Sequence, residues 1–385
     1  MNPPNNTARP ISSRRASSCP FNAILFSVVA PVLAAVLLFH LDSFDPAPFP
    51  YHELTHPLPE PSLKNGRLLQ GAEFLGFGEL PGAEDIAYDS KSGVIYTTCE
   101  DGWIKRVTVN DSSVSDTVVE NWVNTGGRPL GLVLGRDNDV IVADAYKGLL
   151  KISAEGAVEL LTDEADGVKF KLADGVDIAD DGIIYFTDAS CKYYLHDVTW
   201  DFLEGKPNGR LLSYDPATKK TKVLLADLYF ANGLAISPDQ ESLIYCETPM
   251  SRCKRYFIKG NKKGHTEKFV DMPGMPDNIH YDGGGHFWIA SVSEITPFWK
   301  VAFRYPVIRK VARIVFKYIV NLRTQKNAGV FVVNLDGKLI THYHDPGLIL
   351  ISSGVKIGTH LYCGSVIYPY IIRLNLAEHP AHATT

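Results

Sequence analysis

Short strands in which apolar and polar residues alternate recur along most of this chain, and each begins next to a side chain that carries an oxygen atom. The clearest copies are GAEDIAYD, LADGVDIA, FANGLAIS and MPDNIHYD, at 82–89, 172–179, 230–237 and 275–282. Alternation with a period of two is the pattern of a β-strand that buries one face. The chain is therefore predicted to fold as an all-β domain built from copies of one unit.

The copies are regularly spaced. Successive equivalent positions are mostly about 45 residues apart, which is the length of a four-stranded propeller blade. Six such positions predict a six-bladed β-propeller over residues 66–385, in which the stretch 66–80 supplies the strand that closes the ring with the last blade. When the apolar residues are aligned, these positions are Glu84, Leu130, Asp174, Asn232, Asp277 and Ser353.

The longest interval between copies contains residues 297–323, which have helical rather than alternating apolar spacing and are rich in lysine and arginine. Pro306 is expected to break this segment in two. One interpretation is a helical insertion on the surface, between two strands of a blade. The other is a lid over the channel that touches membrane headgroups. The sequence leaves both open.

Residues 21–41 are almost continuously apolar and are long enough to span a bilayer. Arginines precede this segment and aspartates follow it, so the positive-inside rule places residues 1–20 in the cytosol and the propeller in a lumen. The sequence thus predicts a signal anchor in a single-pass type II membrane protein of the endomembrane system, in the endoplasmic reticulum or vacuole. The alternative is a cleaved signal, which yields a secreted or vacuolar protein. Residues 42–65 are rich in proline and are predicted to form an extended stalk without a core.

Charge and composition narrow the choice of partner. A hydrophobic content of 45% suffices for a large core, and a net charge of −5 does not favour nucleic acid as a partner. We expect the partners to be a small-molecule substrate and a membrane, through residues 21–41 and, in the lid interpretation, also through residues 297–323.

The six cysteines lack the spacing of a zinc site. Cys246 and Cys253 flank a turn, and two interpretations are open: a disulfide across a hairpin, or two half-buried free thiols. In a lumenal domain, the sequon that begins at Asn110 would be open to N-glycosylation.

The recurring oxygen-bearing side chains predict a shared site. In a propeller the innermost strands line a central channel, so the residues that begin them converge from different blades. Carboxylates gathered in a channel raise each other's pKa unless a cation neutralises them. Carboxylate and amide oxygens without Cys or His are the ligands that Ca²⁺ prefers. The predicted calcium ligands are Glu84, Asp174, Asn232, Asp277 and Asn278.

Several motifs together resemble the strictosidine-synthase-like family of plants over about residues 66–376. The chain is also similar to the adipocyte plasma membrane-associated proteins of animals and, more distantly, to paraoxonases and gluconolactonases. The resemblance implies a six-bladed propeller and, from the membrane-anchored relatives, a type II topology. The motifs are GRPLGL, IYFTDAS, GRLLSYDP, FANGLAISPD and MPDNIHYD, which begin at Gly127, Ile184, Gly209, Phe230 and Met275.

The resemblance to paraoxonases implies a catalytic calcium held by one Glu, three Asn and one Asp. Glu84, Asn232, Asp277 and Asn278 match that pattern, and Asp174 stands where the family often has Asn. The histidine that paraoxonases carry after the second-blade strand has no match in VADAY, at 142–146.

The resemblance to strictosidine synthases implies a glutamate that acts as acid and base at the start of the sixth inner strand. That position falls on or close to Ser353 here. A hydroxyl group cannot replace this carboxylate in moving a proton near neutral pH. The condensation of an amine with an aldehyde is therefore disfavoured.

Three functions remain open at this point. The first is calcium-dependent hydrolysis of small esters or lactones, in which Asp277 or His280 activates water. The second is amine–aldehyde condensation of the strictosidine type, and the third is a non-catalytic lumenal scaffold with a structural metal. His280 alternates with Ile279 and can equally be a packed strand histidine. No GxSxG motif indicates a serine hydrolase.

Overall fold

The computed structural model describes residues 29–109, 116–318 and 325–383. The chain divides into two compact units, Met1–Phe44 and Asp45–Thr385. In the first unit, α1 (Ala30–Leu41) is a helix of 12 residues. Across the described ranges, no helix combines the length and the apolar character that are needed to cross a bilayer. Because residues 21–28 lie outside these ranges, the membrane anchor stays a prediction.

The second unit consists of short strands with two helical segments. Blades 1 and 2 are preceded by β1 (Leu63–Asn65) and β2 (Glu73–Leu75); they contain β3 (Ile86–Asp89), β4 (Val94–Thr98), β5 (Trp103–Thr108), β6 (Val118–Asn124), β7 (Pro129–Leu134), β8 (Val140–Asp144), β9 (Gly148–Ile152) and β10 (Val158–Thr162). A short hairpin, β11 (Glu164–Ala165) and β12 (Val168–Lys169), follows them. Blades 3 and 4 contain β13 (Ala173–Ile178), β14 (Ile184–Asp188), β15 (Gly209–Asp215), β16 (Lys220–Leu228), β17 (Ala231–Ile236), β18 (Ser242–Glu247), β19 (Arg252–Phe257) and β20 (Thr266–Asp271). Blades 5 and 6 contain β21 (Gly274–Tyr281), β22 (His286–Glu294), β23 (Gly329–Asn334), β24 (Leu339–His344), β25 (Ile351–Ile357), β26 (His360–Ser365) and β27 (Ile371–Asn375), and β28 (His382–Ala383) ends the described chain.

These strands form a six-bladed β-propeller, as the spacing of the copies predicts. Within each blade, strands that follow one another in the chain pair antiparallel. The first strands of the blades, β3, β7, β13, β17, β21 and β25, contact one another in a closed ring. Apolar side chains fill the space between neighbouring blades; between blades 4 and 5, for example, Ile244 packs in one cluster with Phe287 and Phe331.

The ends of the second unit fasten the ring. Strand β2 pairs antiparallel with β27, with Phe74 opposite Ile372, and so completes blade 6. This confirms the predicted closure by the stretch 66–80. On the outer edge of blade 5, β1 pairs parallel with β24 and antiparallel with β28. Pairing of this kind covers sheet edges that would otherwise be exposed.

Two helical segments interrupt the blades. The first, α2 (Val198–Glu204), lies between β14 and β15. The second consists of α3 (Pro297–Arg304) and α4 (Pro306–Tyr318), which lie between β22 and β23. The predicted helical insertion and its break at Pro306 are thus present, although residues 319–323 lie outside the described ranges.

The proline-rich segment contains a 3-10 turn at Tyr51–Glu53, and it packs on the propeller instead of standing away from it as a stalk. Phe49 and Leu54 are buried. Glu53 forms an ion pair of 2.7 Å with Arg252, and the backbone N–H of Thr55 donates to the carboxylate of Asp271. The expectation of a stalk without a core missed these contacts because their partners are about two hundred residues away in sequence.

Candidate functional site

A recurring bulge positions the predicted ligands. The pairing of the first two strands shifts at the same place in blades 3, 4 and 5, between Ala173 and Val176, Ala231 and Leu234, and Pro276 and Ile279. The bulged residues are Asp174-Gly175, Asn232-Gly233 and Asp277-Asn278.

The glycines of these bulges are required by the close approach of neighbouring inner strands. A Cβ added at Gly175 would lie 2.8 Å from the carbonyl oxygen of Asn232. A Cβ at Gly233 would lie 2.5 Å from the Cα of Asn278. Backbones that touch in this way hold the preceding side chains of adjacent blades next to each other.

The structure brings the five predicted ligands together in the buried centre of the ring. The amide of Asn278 donates to Glu84 Oε1 over 2.7 Å. The side chain of Asn232 hydrogen-bonds Asp277, and Asp174 acts electrostatically on both Asp277 and Glu84. Residues from blades 1, 3, 4 and 5 therefore form one polar cluster, which we call the ligand ring: Glu84, Asp174, Asn232, Asp277 and Asn278.

The carboxylates of the ligand ring are strongly perturbed. Burial raises the pKa of Glu84 well above its usual value, and the charges of Asp85, Asp277 and Asp174 raise it further. Burial and Asp174 act in the same direction on the pKa of Asp277. Burial, followed by the charge of Asp85, raises the pKa of Asp174 to about 7. Without a further positive charge, burial and mutual repulsion disfavour the ionised forms of these groups.

Arg128 is the cation that acts on these carboxylates. It lowers the pKa of Glu84 and Asp174 through its charge, but burial outweighs this effect. Its guanidinium donates to the carbonyl oxygens of Pro129 and Gly82, at 2.9 and 3.2 Å. A single guanidinium that is committed to backbone carbonyls leaves the ring short of positive charge.

Two oxygens of the ligand ring lack partners. Glu84 Oε2 and Asn232 Oδ1 are buried and accept no hydrogen bond in the structure. Thr248 holds the Asn232 amide, since the amide nitrogen of Asn232 donates to Thr248 Oγ1 over 3.1 Å. Buried oxygens without partners are rare in native proteins and are explained by an ion or water that binds there.

The donor set fits calcium, provided that the amides take part. Within the described ranges, no three Asp, Glu, His or Cys side chains are grouped closely enough to hold a metal by themselves. Calcium accepts six to eight oxygen ligands, including amide and water oxygens. The amides of Asn232 and Asn278 therefore have to supply ligands beside the carboxylates of the ring.

A second polar cluster lies beside the ligand ring and is fully hydrogen-bonded. Asp85 Oδ1 accepts from Ser353 Oγ over 2.8 Å and contacts His280 Nε2 at 2.8 Å. Asp85 Oδ2 accepts from the backbone N–H of Leu132 over 3.1 Å. Asp85 thus joins blades 1, 2, 5 and 6, and we call Asp85, His280 and Ser353 the central cluster.

Three further residues belong to the site and were not predicted: Asp85, Arg128 and Thr248. A signal for Asp85 exists, because it occupies the position that glycine fills in the copies DGV and NGL. A carboxylate where other blades need glycine is expected to have a specific partner. No comparable pattern marks Arg128 or Thr248, whose roles depend on contacts between blades.

The central cluster constrains the two catalytic assignments that were open. His280 Nε2 contacts Ser353 Oγ at 3.1 Å as well as Asp85. Burial lowers the pKa of His280, but Asp85 and Asp177 raise it and leave it above its usual value. His280 Nε2 is engaged by both Asp85 and Ser353, so His280 would have to leave these partners before it could act as a base. Asp277 lies within the ligand ring and has no such constraint.

Position 353 carries no carboxylate, and Ser353 is fully buried. Because its hydroxyl donates to Asp85, it is not oriented to act on a substrate. The strictosidine-type acid and base is therefore absent at this position.

An apolar cluster adjoins the ligand ring. Leu130, which provides no ligand, packs with Leu172 and Phe230 and with Phe202 of α2. The ring of Phe202 lies 4.8 Å from that of Phe230 and 6.3 Å from that of Trp299 in α3. Both helical segments therefore approach the strands that carry Asp174 and Asn232.

The predicted cysteine pair lies on the two middle strands of blade 4. Cys246 and Cys253 form a disulfide between β18 and β19, where they are direct partners. Asn110 lies outside the described residues, so its glycosylation stays a prediction.

Known proteins share sequence with this chain. Residues 174–261 match the strictosidine synthase family, and residues 64–107 match the N-terminal region of strictosidine synthase-like proteins. The chain is 54% identical to protein strictosidine synthase-like 6 of Arabidopsis thaliana, over 93% of this chain and 96% of that protein. It is 32% identical to the adipocyte plasma membrane-associated protein of Gallus gallus, over 92% of this chain and 89% of that protein.

Solved structures of other propellers share the fold. A gluconolactonase of Xanthomonas campestris superposes with a TM-score of 0.57 at 18% identity, covering 83% of this chain and 96% of its own. A calcium-binding protein of Agrobacterium tumefaciens, regucalcin, superposes with a TM-score of 0.54 at 16% identity, covering 80% and 93%. At these identities the likeness concerns the fold.

Proposed function

The chain belongs to the strictosidine synthase-like family, and from that premise we propose that its propeller is a calcium-dependent hydrolase of small esters or lactones. The observation that carries the proposal is the ligand ring. It combines carboxylates of raised pKa with the partnerless oxygens of Glu84 and Asn232. The shared fold of a gluconolactonase and a calcium-binding regucalcin supports the same choice.

Each residue of the ring has a defined task in this proposal. Glu84, Asp174, Asn232, Asp277 and Asn278 would hold the ion, which when bound supplies a positive charge that polarises an ester oxygen. Asp277 would take a proton from water at a carboxylate oxygen, since it lies within the ring beside the position that the ion would occupy. Thr248 keeps the Asn232 amide in place.

The test is turnover of arylesters and lactones by the full chain, with calcium and with EDTA. We expect turnover that chelation abolishes and calcium restores, and that Asn232→Ala removes together with calcium binding measured by calorimetry. Asn261→Ala is the matched control, because Asn261 is exposed and lies in a turn far from the ring in sequence. Turnover that survives both EDTA and Asn232→Ala would refute metal catalysis.

A structural metal in a non-catalytic scaffold is the second candidate, and one observation favours it. Side chains of the ligand ring and the central cluster together connect the inner strands of blades 1, 3, 4, 5 and 6. Blade 2 is connected to them through the backbone of Leu132. Calcium that raises the melting temperature without any turnover of esters or lactones would select this candidate. Ser353 argues against the amine–aldehyde condensation, and incubation with both substrates tests that directly.

We further propose that the propeller lies in the lumen of the endomembrane system, anchored through residues 21–41. The Cys246–Cys253 disulfide supports an oxidising compartment. Protease protection of the propeller in sealed microsomes, with a shift in mass on removal of a glycan at Asn110, is the expected result. Digestion of the propeller in intact microsomes would contradict it.

A further inference from the structure

Helix α4 is built the opposite way from an ordinary surface helix. One of its two arginines faces inward, since Arg309 is 0% exposed, while Val307 is 60% and Val311 44% exposed. An amphipathic helix on a soluble protein normally turns its apolar side chains to the core and its charges to water. The reversed arrangement leaves an apolar stripe on the outside.

Contacts of Arg309 fix this orientation. Its guanidinium donates to the carbonyl oxygens of Leu203 and Glu204 at 3.1 and 3.0 Å, and to that of Ala47. It also lies over the ring of Phe49, 4.7 Å from the centroid. Burial lowers the pKa of Arg309 to about 10, so the group stays charged at neutral pH. The outward stripe is therefore a fixed feature of the packing and is not a frayed helix.

The outward stripe is continuous along the helix. Val307, Val311 and Tyr318 are spaced by four and seven positions, which places them on one side of the helix. Ile308 lies next to them on the same side. Val301 and Tyr305, at the end of α3 and the junction, are exposed as well. We call these residues the apolar face: Val301, Tyr305, Val307, Ile308, Val311 and Tyr318.

Positive charge accompanies the apolar face. Lys300, Arg304 and Lys317 are exposed, and the two helices contain no aspartate or glutamate at any position from 297 to 318. The guanidinium of Arg304 lies over the ring of Tyr305, and the ammonium of Lys317 lies over that of Tyr318. Cations beside aliphatic side chains, with tyrosines between them, match the interface of a bilayer that contains anionic lipid.

We propose that the apolar face of α3 and α4 docks on the surface of an anionic lipid bilayer. The aliphatic side chains enter the headgroup region, and the exposed cations contact lipid phosphates and carboxylates. A soluble acidic partner would satisfy the cations but would leave Val307 and Val311 without an apolar environment. The docking is independent of the proposed hydrolase activity.

Hydrogen exchange of the full-length chain tests the proposal locally. Single chains are placed in nanodiscs of phosphatidylcholine, with or without phosphatidylserine, and exchange is followed by mass spectrometry for residues 306–318. We expect slower exchange there with phosphatidylserine, by about tenfold or more, since each surface cation gains from anionic lipid. Exchange in the strands of blades 1 to 3 is expected to stay the same.

Variants separate the contribution of the aliphatic side chains to lipid docking from that of the cations. Val307→Ser with Ile308→Ser and Val311→Ser should remove the protection in both lipids, and Lys300→Glu with Arg304→Glu should remove its dependence on phosphatidylserine. The matched control is Lys219→Glu with Lys220→Glu, which reverses two exposed lysines outside the insertion. Unchanged melting temperatures would show that all variants fold.

Equal exchange in both lipids for the unaltered chain would overturn the proposal. Protection without lipid that grows with protein concentration would also overturn it, because the apolar face would then bind a second copy of the chain.

Discussion

Two polar clusters lie side by side in the channel, and they begin at adjacent residues just before β3. The ligand ring contains Glu84, whose Oε2 has no partner, whereas the central cluster contains Asp85, both of whose oxygens are hydrogen-bonded. The two residues are adjacent in the chain, and both side chains are buried. They differ in whether the protein itself completes their contacts. The complete cluster joins the blades by its own hydrogen bonds, and the incomplete one leaves buried oxygens that an ion or water can contact.

The largest expected effect is on the incomplete cluster. Asp277→Asn keeps the shape of the side chain but removes the carboxylate that takes the proton, so hydrolysis should fall by about 10²- to 10⁴-fold. Steady-state kinetics with an arylester measure this, with Asn261→Ala as the control. A variant that retains wild-type turnover would remove Asp277 from the mechanism.

Breaking the complete cluster should affect stability instead. Asp85→Ala removes the carboxylate that His280, Ser353 and the backbone N–H of Leu132 share, and breaking a buried pair costs about 3–5 kcal/mol. Urea denaturation measures the change. The comparison would fail if Asp85→Ala unfolded like the wild type, because Asp85 would then not hold the blades together.

Calcium and pH should act together on the ligand ring. In EDTA, the raised pKa of Asp174, about 7 against an ordinary 3.8, means that the folded state retains a proton that the unfolded state releases. That contribution to stability is complete below about pH 4 and is lost as the pH rises through 7. Calcium needs the ionised carboxylates, so its stabilisation grows over the same range, to about 2.7 kcal/mol at one hundred times the Kd.

Melting temperatures at pH 5 and pH 8, each with calcium and with EDTA, check this prediction. The difference between calcium and EDTA should be larger at pH 8. A difference that is equal at both pH values, or larger at pH 5, would argue against carboxylate ligands.

The smallest expected effect comes from Ser353→Ala. This change removes one of the hydrogen bonds to Asp85 and leaves those from His280 and Leu132, so it should destabilise by about 1 kcal/mol. Calcium affinity should remain unchanged, since Ser353 contacts no member of the ligand ring among its hydrogen bonds. Loss of calcium binding in this variant would mean that the two clusters are not separable.

The sequence predicts the repeating part of this structure well. Alternation and spacing predict the six blades and the closing role of residues 66–80. The same alignment predicts which side chains meet in the ligand ring, because equivalent positions in a closed ring of copies must converge. The helical insertion is predicted for a similar reason, since its periodicity is local.

What the sequence does not show depends on contacts between distant segments. The role of Asp85 depends on its contacts with His280 and Ser353, which lie in other blades. Phe49 and Arg309 meet across some 260 positions, so neither the packing of the proline-rich segment nor the inward turn of the arginine has a local pattern. Whether calcium binds depends on the free energy of the whole ring, which no single motif contains.

The pairing of β1 with β28 has a further consequence for how the domain can be rewired. Leu63 and Ala383 are register partners, which places the two ends of the propeller within about 5.5 Å of each other. A short peptide linker could join these ends, and new termini could be opened in a surface turn between two other blades. A circular permutant, in which the gene encodes the blades in a different order, would then retain the same ring.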